Sequence, residues 1–414
     1  MKSFDELYFE VLVHALKDRD ESYLERLEAL KSDQMDCLLH PERHPVVVST
    51  GPCDCGEAEP DCKKVCEFHA IHPDETGELK IDEAACVGCE LCVAACRAHR
   101  LAASKDVIPA LRAVRWGGKP AFALVAPAFL GQFGEAVSPG RLRAALKAAG
   151  FTGMIEVALL ADMLTLKEAL EFDAHVKTAT DYQLTSCCCP MWIAMIRKLY
   201  HGLVPHVPPA VSPMIAAGRM VKTLYPDAVT VFIGPCLAKK SEAREKDVAD
   251  AIDYVLTFQE MKDAFAILEL DPASFEEDDR EHASRAGRIY AYAGGVSEAV
   301  AGTVERVRPG RAIPVTTCAA SGVPQCKAMV ADIVSGKGGA NFYEGMGCVG
   351  GCVGGPRAII PKEDGRRNVA RYGDESVHPT PIDNPYVVEL LGKLGFDTIE
   401  KLLEESDIFT RTLE

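Results

Sequence analysis

The sequence lacks the features that would place the chain in a membrane or on nucleic acid. It contains no apolar run approaching the ~18 residues that a transmembrane helix needs. Residues 1–6 include no apolar stretch, no twin arginine and no cleavage site of an export signal, so we expect a cytoplasmic protein. Basic residues are also scarce: 45 Lys and Arg stand against 61 Asp and Glu, and the formal net charge is -16. Because phosphate binding requires clustered excess cations, we expect no nucleic acid and no membrane surface as a partner.

What the sequence has in excess is cysteine. Its 414 residues have an ordinary globular composition, 48% hydrophobic and 26% charged, but 17 of them are Cys. Most of these lie in groups, at positions 53/55/62/66, 86/89/92/96, 187/188/189, 236, 318/326 and 348/352, with Cys37 alone. A disulfide framework would require a secreted chain, so the grouping predicts metal ligation. For Cys37, Cys318 and Cys326 we predict buried free thiols, with an accessory redox or cluster role as the alternative for the last two.

The stretch from Cys86 to Cys96 has the spacing C-x2-C-x2-C-x3-C. Three thiolates two residues apart wrap one corner of an iron–sulfur cubane, and the fourth, three residues on, turns away towards a second cluster. A second set of thiols lies upstream at positions 53, 55, 62 and 66, and its last pair repeats the x3 spacing. Zinc is the alternative, but zinc sites favour paired C-x2-C knuckles at a distance.

This stretch resembles a bacterial two-cluster ferredoxin, although no proline follows Cys66 or Cys96. The resemblance implies two 4Fe-4S clusters with crossed ligands. One cluster would be held by Cys53, Cys55, Cys62 and Cys96. The other would be held by Cys86, Cys89, Cys92 and Cys66.

The rest of the chain alternates apolar strands with amphipathic helices. We predict strands at 121–125, 152–158, 229–233 and 288–293, and helices at 142–149, 163–176, 191–200 and 213–224. This alternation is typical of an α/β fold with parallel sheets flanked by helices, which places its chemistry at the carboxyl ends of the strands. We predict three parts: an N-terminal helical segment at 1–45, a ferredoxin-like domain at 46–105 and a two-lobed catalytic domain at 106–414.

Three thiol-bearing loops in the last part are candidates for one further metal centre. Their sequences are TSCCCPMW at 185–192, IGPCLAKK at 233–240 and GCVGGCVGGP at 347–356. A cubane needs four thiolates, which Cys188, Cys236, Cys348 and Cys352 would supply. The glycines of the third loop let the backbone approach a cluster closely and leave N–H groups free to bond sulfur.

In this order, with Lys239 three residues after Cys236, the motifs and the ferredoxin-like stretch resemble the iron-only (FeFe) hydrogenases, in a divergent branch with a tripled cysteine. The resemblance covers the chain from about residue 53 onward. It implies an H-cluster, a 4Fe-4S cubane joined through a cysteine sulfur to a two-iron unit that carries CO, cyanide and an azadithiolate. It also implies H2 and protons as reactants, a small redox protein such as ferredoxin as electron partner, and maturation proteins that build the two-iron unit.

The resemblance implies a role for each matching residue. Cys188, Cys236 and Cys348 correspond to cubane ligands, and Cys352 corresponds to the ligand that also bridges to the two-iron unit. Cys187 corresponds to the thiol that passes protons to the azadithiolate, with Glu168 and Glu171 leading from it to solvent. The remaining residues implied to contact the cofactor are Lys239, Met346, Ala126, Pro127, Ala128, Ser186, Pro235 and Gly347.

Two points stay open at this level. Counting forward from Thr185 gives the roles above, whereas counting back from Pro190 moves the proton and cubane roles to Cys188 and Cys189. Pro208 stands where the family has a serine between Glu168 and the proton-transfer thiol, so that link would be water, another residue or absent. Without the resemblance, two Glu at i and i+3 are usually a solvated helix face.

We therefore expect a hydrogenase, an oxidoreductase that interconverts H2 with protons and electrons and relays the electrons through the two N-terminal clusters. The alternative is a hydrogenase-like iron–sulfur protein without H2 turnover, which handles clusters for other proteins or senses redox state. Such relatives tend to lose the cyanide-contacting lysine and the proton-transfer thiol. Because Lys239 and Cys187 are both present, the sequence favours the enzyme.

Overall fold

The computed structural model describes residues 3–18, 21–29, 32–53, 55–56, 60–75, 79–185, 188–278, 280 and 282–413. The N-terminal segment is helical, with α1 (Phe4–Val13), a π-helical turn (His14–Asp18), α2 (Glu21–Glu28), α3 (Asp33–Leu39) and a 3-10 turn (Pro41–Arg43). Ser3 begins α1 with a capping box, in which Ser3 and Glu6 exchange hydrogen bonds between side chain and backbone. Tyr8 and Leu12, at helical spacing, are buried in the main apolar core, so the segment covers the α/β part of the chain, residues 106–413.

The ferredoxin-like region is built from two strand pairs and two short helices. Strand β1 (Val47–Ser49) pairs antiparallel with β4 (Leu101–Ala103), and β2 (Ile71–Pro73) pairs antiparallel with β3 (Leu79–Ile81). Helices α4 (Asp61–Lys64) and α5 (Leu91–Ala95) carry cysteines from the two halves. The core of this region is small and includes the ligand candidates Cys62, Cys92 and Cys96. A core this small needs additional cross-links, which metal clusters supply.

A parallel four-stranded sheet, in the order β6-β5-β8-β9, forms the first lobe of the α/β part. Its strands are β5 (Ala121–Val125), β6 (Gly153–Glu156), β8 (Val229–Gly234) and β9 (Tyr254–Thr257). The helices packed with this lobe are α6 (Val107–Trp116), α7 (Pro139–Ala148), α8 (Ala158–His175), α10 (Pro213–Leu224) and α12 (Phe258–Ile267). Val125 lies opposite Ile233 in the register, so β5 and β8 end side by side. The loops that follow β5 and β8 therefore lie next to each other at the carboxyl edge of the sheet.

The second lobe is a parallel three-stranded sheet in the order β10-β11-β7. Its strands are β7 (Gln183–Leu184), β10 (Thr317–Ser321) and β11 (Phe342–Met346). The nearby helices are α9 (Pro190–Leu199), α14 (Gly295–Val307) and α15 (Val323–Val334). The remaining helices are α11 (Ala238–Ala243), α13 (Arg285–Arg288), α16 (Lys362–Asp374) and α17 (Pro385–Lys393). Short 3-10 turns lie at Pro127–Phe129, His201–His206, Pro272–Ser274, Ile289–Ala291, Cys352–Gly354, Pro381–Asp383 and Ile399–Leu403.

The predicted α/β architecture with parallel sheets is confirmed, with one wrong strand. Residues 288–293 form no strand; the end of α13 and a 3-10 turn occupy them. Short apolar runs that are buried on all sides do not distinguish strand from helix by their periodicity. Strands β10 and β11 were not predicted, because β10 is small, polar and largely exposed and β11 is interrupted by Gly345. Across the described residues, every helix is too short or too polar to cross a bilayer.

Candidate metal centres and active site

The cysteines of the ferredoxin-like region lie in two groups of four. Cys66, Cys86, Cys89 and Cys92 line one small cavity. Cys53, Cys55, Cys62 and Cys96 line another. Each group combines three cysteines from one half of the region with one from the other half, which is the crossed grouping that the ferredoxin resemblance implies. Cys53 is exposed, so the second group lies at the protein surface.

The cysteine that crosses over sits in the same turn in both halves. His69 and His99, three residues after Cys66 and Cys96, have φ angles of 51° and 52°. The backbone N–H four residues after each cysteine donates to its Sγ, at 3.2 and 3.3 Å. Hydrogen bonds to ligand sulfur tune the potential of an iron–sulfur cluster. The sequence carries this symmetry as a C-x3-C-x2-H repeat, which our sequence prediction missed.

A third group of thiols comes from distant parts of the chain. Cys236 follows β8, and Cys348 and Cys352 lie in the loop after β11. Cys189 is the residue before α9, whose first helical position is occupied by Pro190. Cys189 interacts electrostatically with each of the other three thiols. The ends of parallel strands from both lobes therefore meet at one four-thiol centre, as expected for α/β folds.

Burial raises the pKa of three thiols in this centre, those of Cys236, Cys348 and Cys352. It raises the pKa of Cys236 to about 12 and that of Cys352 to about 11, and neighbouring thiolate charge adds to both shifts. The pKa of Cys348 lies well above its ordinary value for the same two reasons. Burial and mutual repulsion therefore keep these thiols protonated unless a cationic metal centre binds, since metal binding deprotonates its thiol ligands.

Four thiols in each group are the donor set of a 4Fe-4S cubane, which spreads four thiolates over four iron atoms. A zinc ion holds its sulfur ligands at about 2.3 Å and so draws four thiolates tightly together. In the group of Cys62 and Cys96, the Sγ atoms of Cys53 and Cys55 lie 3.3 Å apart. Within the part of the chain that the structure describes, no three Cys, His, Asp or Glu side chains come close enough to share one ion.

Glycines bring the loop after β11 close to the thiols. Gly347 donates its backbone N–H to Cys189 Sγ at 3.2 Å, and a Cβ on Gly347 would lie 2.4 Å from Met191 Cγ. Gly351 has φ +87°, and a Cβ there would lie 2.9 Å from Met346 Sδ. Both positions therefore require glycine, because any side chain would push the loop away from the centre.

The two ways of aligning the first motif, counting forward from Thr185 or back from Pro190, are its two registers. The described residues favour the second. Ser186 and Cys187 lie outside the described residues, so their predicted roles have no structural counterpart here. Cys189 interacts electrostatically with the other three thiols and packs against the second apolar core, and Cys188 packs against the main apolar core. The placement of Cys189 is the one that counting back from Pro190 predicts, and the assignment of Cys188 as the cubane ligand stays a prediction. Three identical residues in a row gave the sequence no means to choose.

Lys239 is buried beside this centre with its ammonium group paired. Its Nζ donates to Glu242 Oε2 at 2.6 Å, and both side chains are almost inaccessible to solvent. Burial opposes the charge, but Glu242 and the thiols of Cys236 and Cys352 raise the pKa of Lys239 above its ordinary value. Lys239 is therefore a fixed cation. Glu242 was not predicted, although its i,i+3 spacing from Lys239 on a helix was a usable signal.

The other predicted cofactor contacts lie at the same edge of the sheets. Residues 126–128 follow β5 directly, and the N–H of Ala126 donates to the carbonyl of Ile233 at 2.9 Å. Pro235 lies in the loop after β8, and its carbonyl accepts a hydrogen bond from the N–H of Arg357 at 3.0 Å. Met346 ends β11 and is 1% exposed. The structure thus brings these three contacts to strand ends that also carry the thiols.

Glu168 and Glu171 are buried in α8, so the solvated-face alternative is wrong. Their exposed fractions are 1% and 3%. Lys167 pairs with Glu171 Oε1 at 2.9 Å, and burial raises the pKa of Glu171 despite this cation. Gln183, two residues before Thr185, donates from Nε2 to the backbone carbonyl of Glu168 at 3.4 Å. The two carboxylates therefore lie behind the strand that leads into the first thiol motif.

The two remaining thiols of the second lobe differ from each other. Cys326 is buried in α15, where its S–H donates to the carbonyl of Met346 at 3.4 Å. Burial raises the pKa of Cys326 to about 12, and the nearby Cys189 adds to the rise. Cys318 is exposed on β10, so the prediction of a buried thiol is wrong there. Its strand lies at the sheet edge, which the sequence pattern did not indicate.

Comparison with known proteins places this centre in a family. A family model described as iron only hydrogenase large subunit, C-terminal domain, matches residues 119–356. The chain is 26% identical over 374 residues to the NADP-reducing hydrogenase subunit HndD of Solidesulfovibrio fructosivorans, covering 76% of this chain and 64% of that protein. It is 30% identical over 176 residues to iron hydrogenase 1 of Clostridium pasteurianum, covering 39% of this chain and 31% of that protein. The chain thus spans less than two thirds of the length of these relatives.

A relative with a different name matches a shorter stretch of the chain. The cytosolic Fe-S cluster assembly factor NAR1 homolog of Schizosaccharomyces japonicus is 28% identical over 105 residues, which is 22% of this chain and 20% of that protein. Among solved structures, a variant of the FeFe hydrogenase HydA1 from Chlamydomonas reinhardtii superposes with a TM-score of 0.58 at 21% identity, covering 72% of this chain and 97% of that one. At this identity the structural likeness concerns the fold.

Proposed function

Because the chain belongs to the iron-only hydrogenase family, we propose that it catalyses the reversible interconversion of H2 with protons and electrons. The observation that carries the proposal is the buried centre itself. Four thiols from three separate loops surround one site, and the fixed cation of Lys239 lies beside two of them. A structural cluster needs the thiols alone. A buried cation beside the thiols also suits a cofactor with anionic ligands.

The residues present fit an H-cluster. Cys189, Cys236 and Cys348 would hold its cubane, and Cys352 would hold the cubane and bridge to the two-iron unit. This assignment takes the register counted back from Pro190, since Cys189 is the thiol that faces the other three. When bound, the two-iron unit supplies the metal site at which protons and electrons combine. The chain supplies positioning, charge and proton transfer around it.

The neighbours of the thiols would hold the diatomic ligands of the two-iron unit. Lys239 would bind one cyanide through its ammonium group, which Glu242 keeps in place. Residues 126–128 and Pro235 would contact the cofactor from the ends of β5 and β8, and Gly347 would do so after β11. Met346 would exclude water from the same side, as its burial supports.

Protons would reach the centre through α8. In the favoured register Cys188 is the thiol that exchanges protons with the cofactor, and in the other register it is Cys187. Glu168 and Glu171 would carry protons between this thiol and the surface. Their burial supports this role, because a carboxyl group with a raised pKa, as Glu171 has, takes up and releases protons nearer to neutral pH.

Electrons would pass through the ferredoxin-like region. Cys89, in the group of Cys66, Cys86 and Cys92, interacts electrostatically with Cys348 of the four-thiol centre. A cluster in that group would therefore be the neighbour of the H-cluster. The group that contains the exposed Cys53 would receive electrons from a small redox protein such as a ferredoxin. Maturation proteins would supply the two-iron unit.

A second candidate is a cluster-handling protein without H2 turnover, which the likeness to the NAR1 homolog favours. The test is to load the purified protein with iron, sulfide and a synthetic two-iron unit and measure H2 evolution from a reduced dye. We expect steady evolution, and a loss of about 100-fold or more in Lys239→Met, as for removal of a preorganised charge-stabilising donor. A loaded protein that evolves no H2 but transfers a cluster to an apo-acceptor would support the second candidate instead.

A further inference from the structure

An ion pair with a buried carboxylate joins the ferredoxin-like region to the four-thiol centre. Glu90 lies between Cys89 and Cys92, and its side chain is 5% exposed. Its Oε1 forms a close hydrogen-bonded ion pair with Nη2 of Arg357, a residue 267 positions away in the sequence. Arg357 follows the loop of Cys352. The pair therefore connects a ligand loop of one predicted cluster with a ligand loop of the other.

The backbone around this pair is held in an unusual conformation. Glu90 has φ 62° and ψ 6°, a left-handed conformation that is strained for a residue with a side chain. Such strain persists when surrounding contacts hold it in place. The backbone N–H of Arg357 donates to the carbonyl of Pro235 at 3.0 Å, directly before Cys236. Three ligand loops thus share one anchor, the pair of Glu90 and Arg357.

Packing next to the pair is equally close. A Cβ on Gly88 would lie 3.0 Å from Cα of Ala238, so the two backbones touch. Leu237, which follows Cys236, is fully buried and belongs to the small core of the ferredoxin-like region. The ion pair therefore stands where the two predicted clusters approach each other.

The carboxylate of the pair is shielded from water, whereas the side chain of Arg357 is partly exposed. Glu90 Oε2 is buried and has no hydrogen-bond partner among the residues that the structure describes. Burial lowers the pKa of Lys105, and the positive charge of Arg357 lowers it further. The two cations therefore repel each other. The carboxylate of Glu90 offsets this repulsion. In a site of low dielectric constant, removing one of these charges changes the energy of a nearby electron strongly.

We propose that the pair of Glu90 and Arg357 sets the separation and the relative reduction potentials of the two neighbouring clusters, and thereby the rate of electron transfer between them. The proposal rests on the proposed function only for its link to turnover. In the step concerned, a 4Fe-4S cluster held by Cys66, Cys86, Cys89 and Cys92 would give up one electron, and a cubane held by the four-thiol centre would accept it. No bond to the pair forms or breaks.

The test uses four variants of the full chain loaded with iron–sulfur clusters. Glu90→Gln keeps the shape of the side chain and removes its charge, Arg357→Gln removes the opposite charge, and Glu90→Gly removes the carboxylate while relieving the left-handed strain. Glu67→Gln is the matched control. Glu67 follows Cys66, a ligand of the same cluster, and pairs with Lys327 at 2.9 Å, but both side chains are partly exposed (35% and 42%).

The readouts are the reduction potential of the cluster nearest the centre, measured by EPR-monitored titration, and the magnetic interaction between the two clusters. We expect Glu90→Gln to shift the potential upwards, since a cation is left uncompensated, and Arg357→Gln to shift it downwards. Glu90→Gly should follow Glu90→Gln, and Glu67→Gln should change little because water screens its charge. Shifts of equal sign in Glu90→Gln and Arg357→Gln, or shifts no larger than those of Glu67→Gln, would overturn the proposal.

Turnover provides a separate readout once the two-iron unit is present. Dye-linked H2 evolution should fall about tenfold in Glu90→Gln, whereas H2/D2 exchange, which needs no electrons from the relay, should stay at the unmodified rate. An equal fall in both would show that the pair acts on the catalytic centre and not on electron transfer. If the chain evolves no H2 at all, the proposed function fails, and the potentials and the magnetic interaction still decide this inference.

Discussion

The ferredoxin-like region and the four-thiol centre assemble their ligand sets in different ways. The first takes eight thiols from positions 53 to 96, and each group of four is completed by a short turn that is repeated in both halves. The second takes one thiol each from the loops after β7 and β8 and two from the loop after β11. A local set depends on turn geometry, whereas a distant set depends on both sheets being in place.

This difference extends to what stabilises each part. In the ferredoxin-like region, ligand cysteines are members of the apolar core, which is small. The α/β part has a large core of its own, to which the N-terminal helices contribute Tyr8 and Leu12. We infer that the first part depends on its clusters for stability, while the second folds around a centre that metals complete.

The largest expected effect comes from removing iron altogether. In protein stripped of iron and sulfide, backbone amides at 79–103 should exchange with solvent within seconds to minutes, because the clusters no longer cross-link their small core. Amides in β5 and β8 should stay protected. Hydrogen exchange followed by mass spectrometry makes this comparison in one sample. Equal protection of both regions would contradict the proposed dependence.

The next effect distinguishes the two registers of the first motif. Cys189→Ala should lose the cubane of the four-thiol centre, so that iron in protein without the two-iron unit falls from about twelve to about eight atoms per chain. Cys188→Ala is the control and should keep about twelve, while its H2 evolution after maturation is abolished. Iron analysis and EPR check both. The reverse pattern would return the cubane role to Cys188.

A smaller effect tests the crossed grouping in the local region. Cys66→Ala should remove the cluster next to the four-thiol centre, whereas Cys96→Ala should remove the outer cluster near Cys53. EPR should then show a magnetic interaction with the cubane in Cys96→Ala and none in Cys66→Ala. H2/D2 exchange should be unchanged in both variants, since it needs no relay. If the magnetic interaction survives in Cys66→Ala, the groups are not crossed.

The smallest of these effects leaves every cluster in place. Glu168→Gln keeps the size of a buried side chain but removes its proton-transfer capacity, so H2 evolution should fall about 100-fold, at the lower end for lost acid–base catalysis. The rate of H2 evolution should fall less in Glu171→Gln, because Lys167 already forms an ion pair with one carboxylate oxygen of Glu171. Rates over a range of pH, with iron content as the control for folding, give the answer. An unchanged rate in Glu168→Gln would exclude the route through α8.

The local region was more predictable from sequence than the distant centre, for physical reasons. The spacing from Cys86 to Cys96 defines a cluster site by itself, and the strand ends at Val125 and Ile233 follow from their apolar runs. The choice between Cys188 and Cys189 depends on how α9 begins after β7, which three identical residues do not encode. The contact of Glu90 with Arg357 joins two loops that are 267 residues apart in the sequence, and no local sequence pattern predicts it.

The proposed activity depends most directly on whether the four-thiol centre carries a two-iron unit with CO and cyanide. Infrared spectroscopy of the matured protein measures this, because both ligands absorb where protein does not. We predict CO and cyanide bands that shift on exposure to H2 and that are absent from Cys189→Ala matured in parallel. A fully matured protein with no such bands, or with bands that H2 leaves unchanged, would contradict assignment of this chain as a hydrogenase.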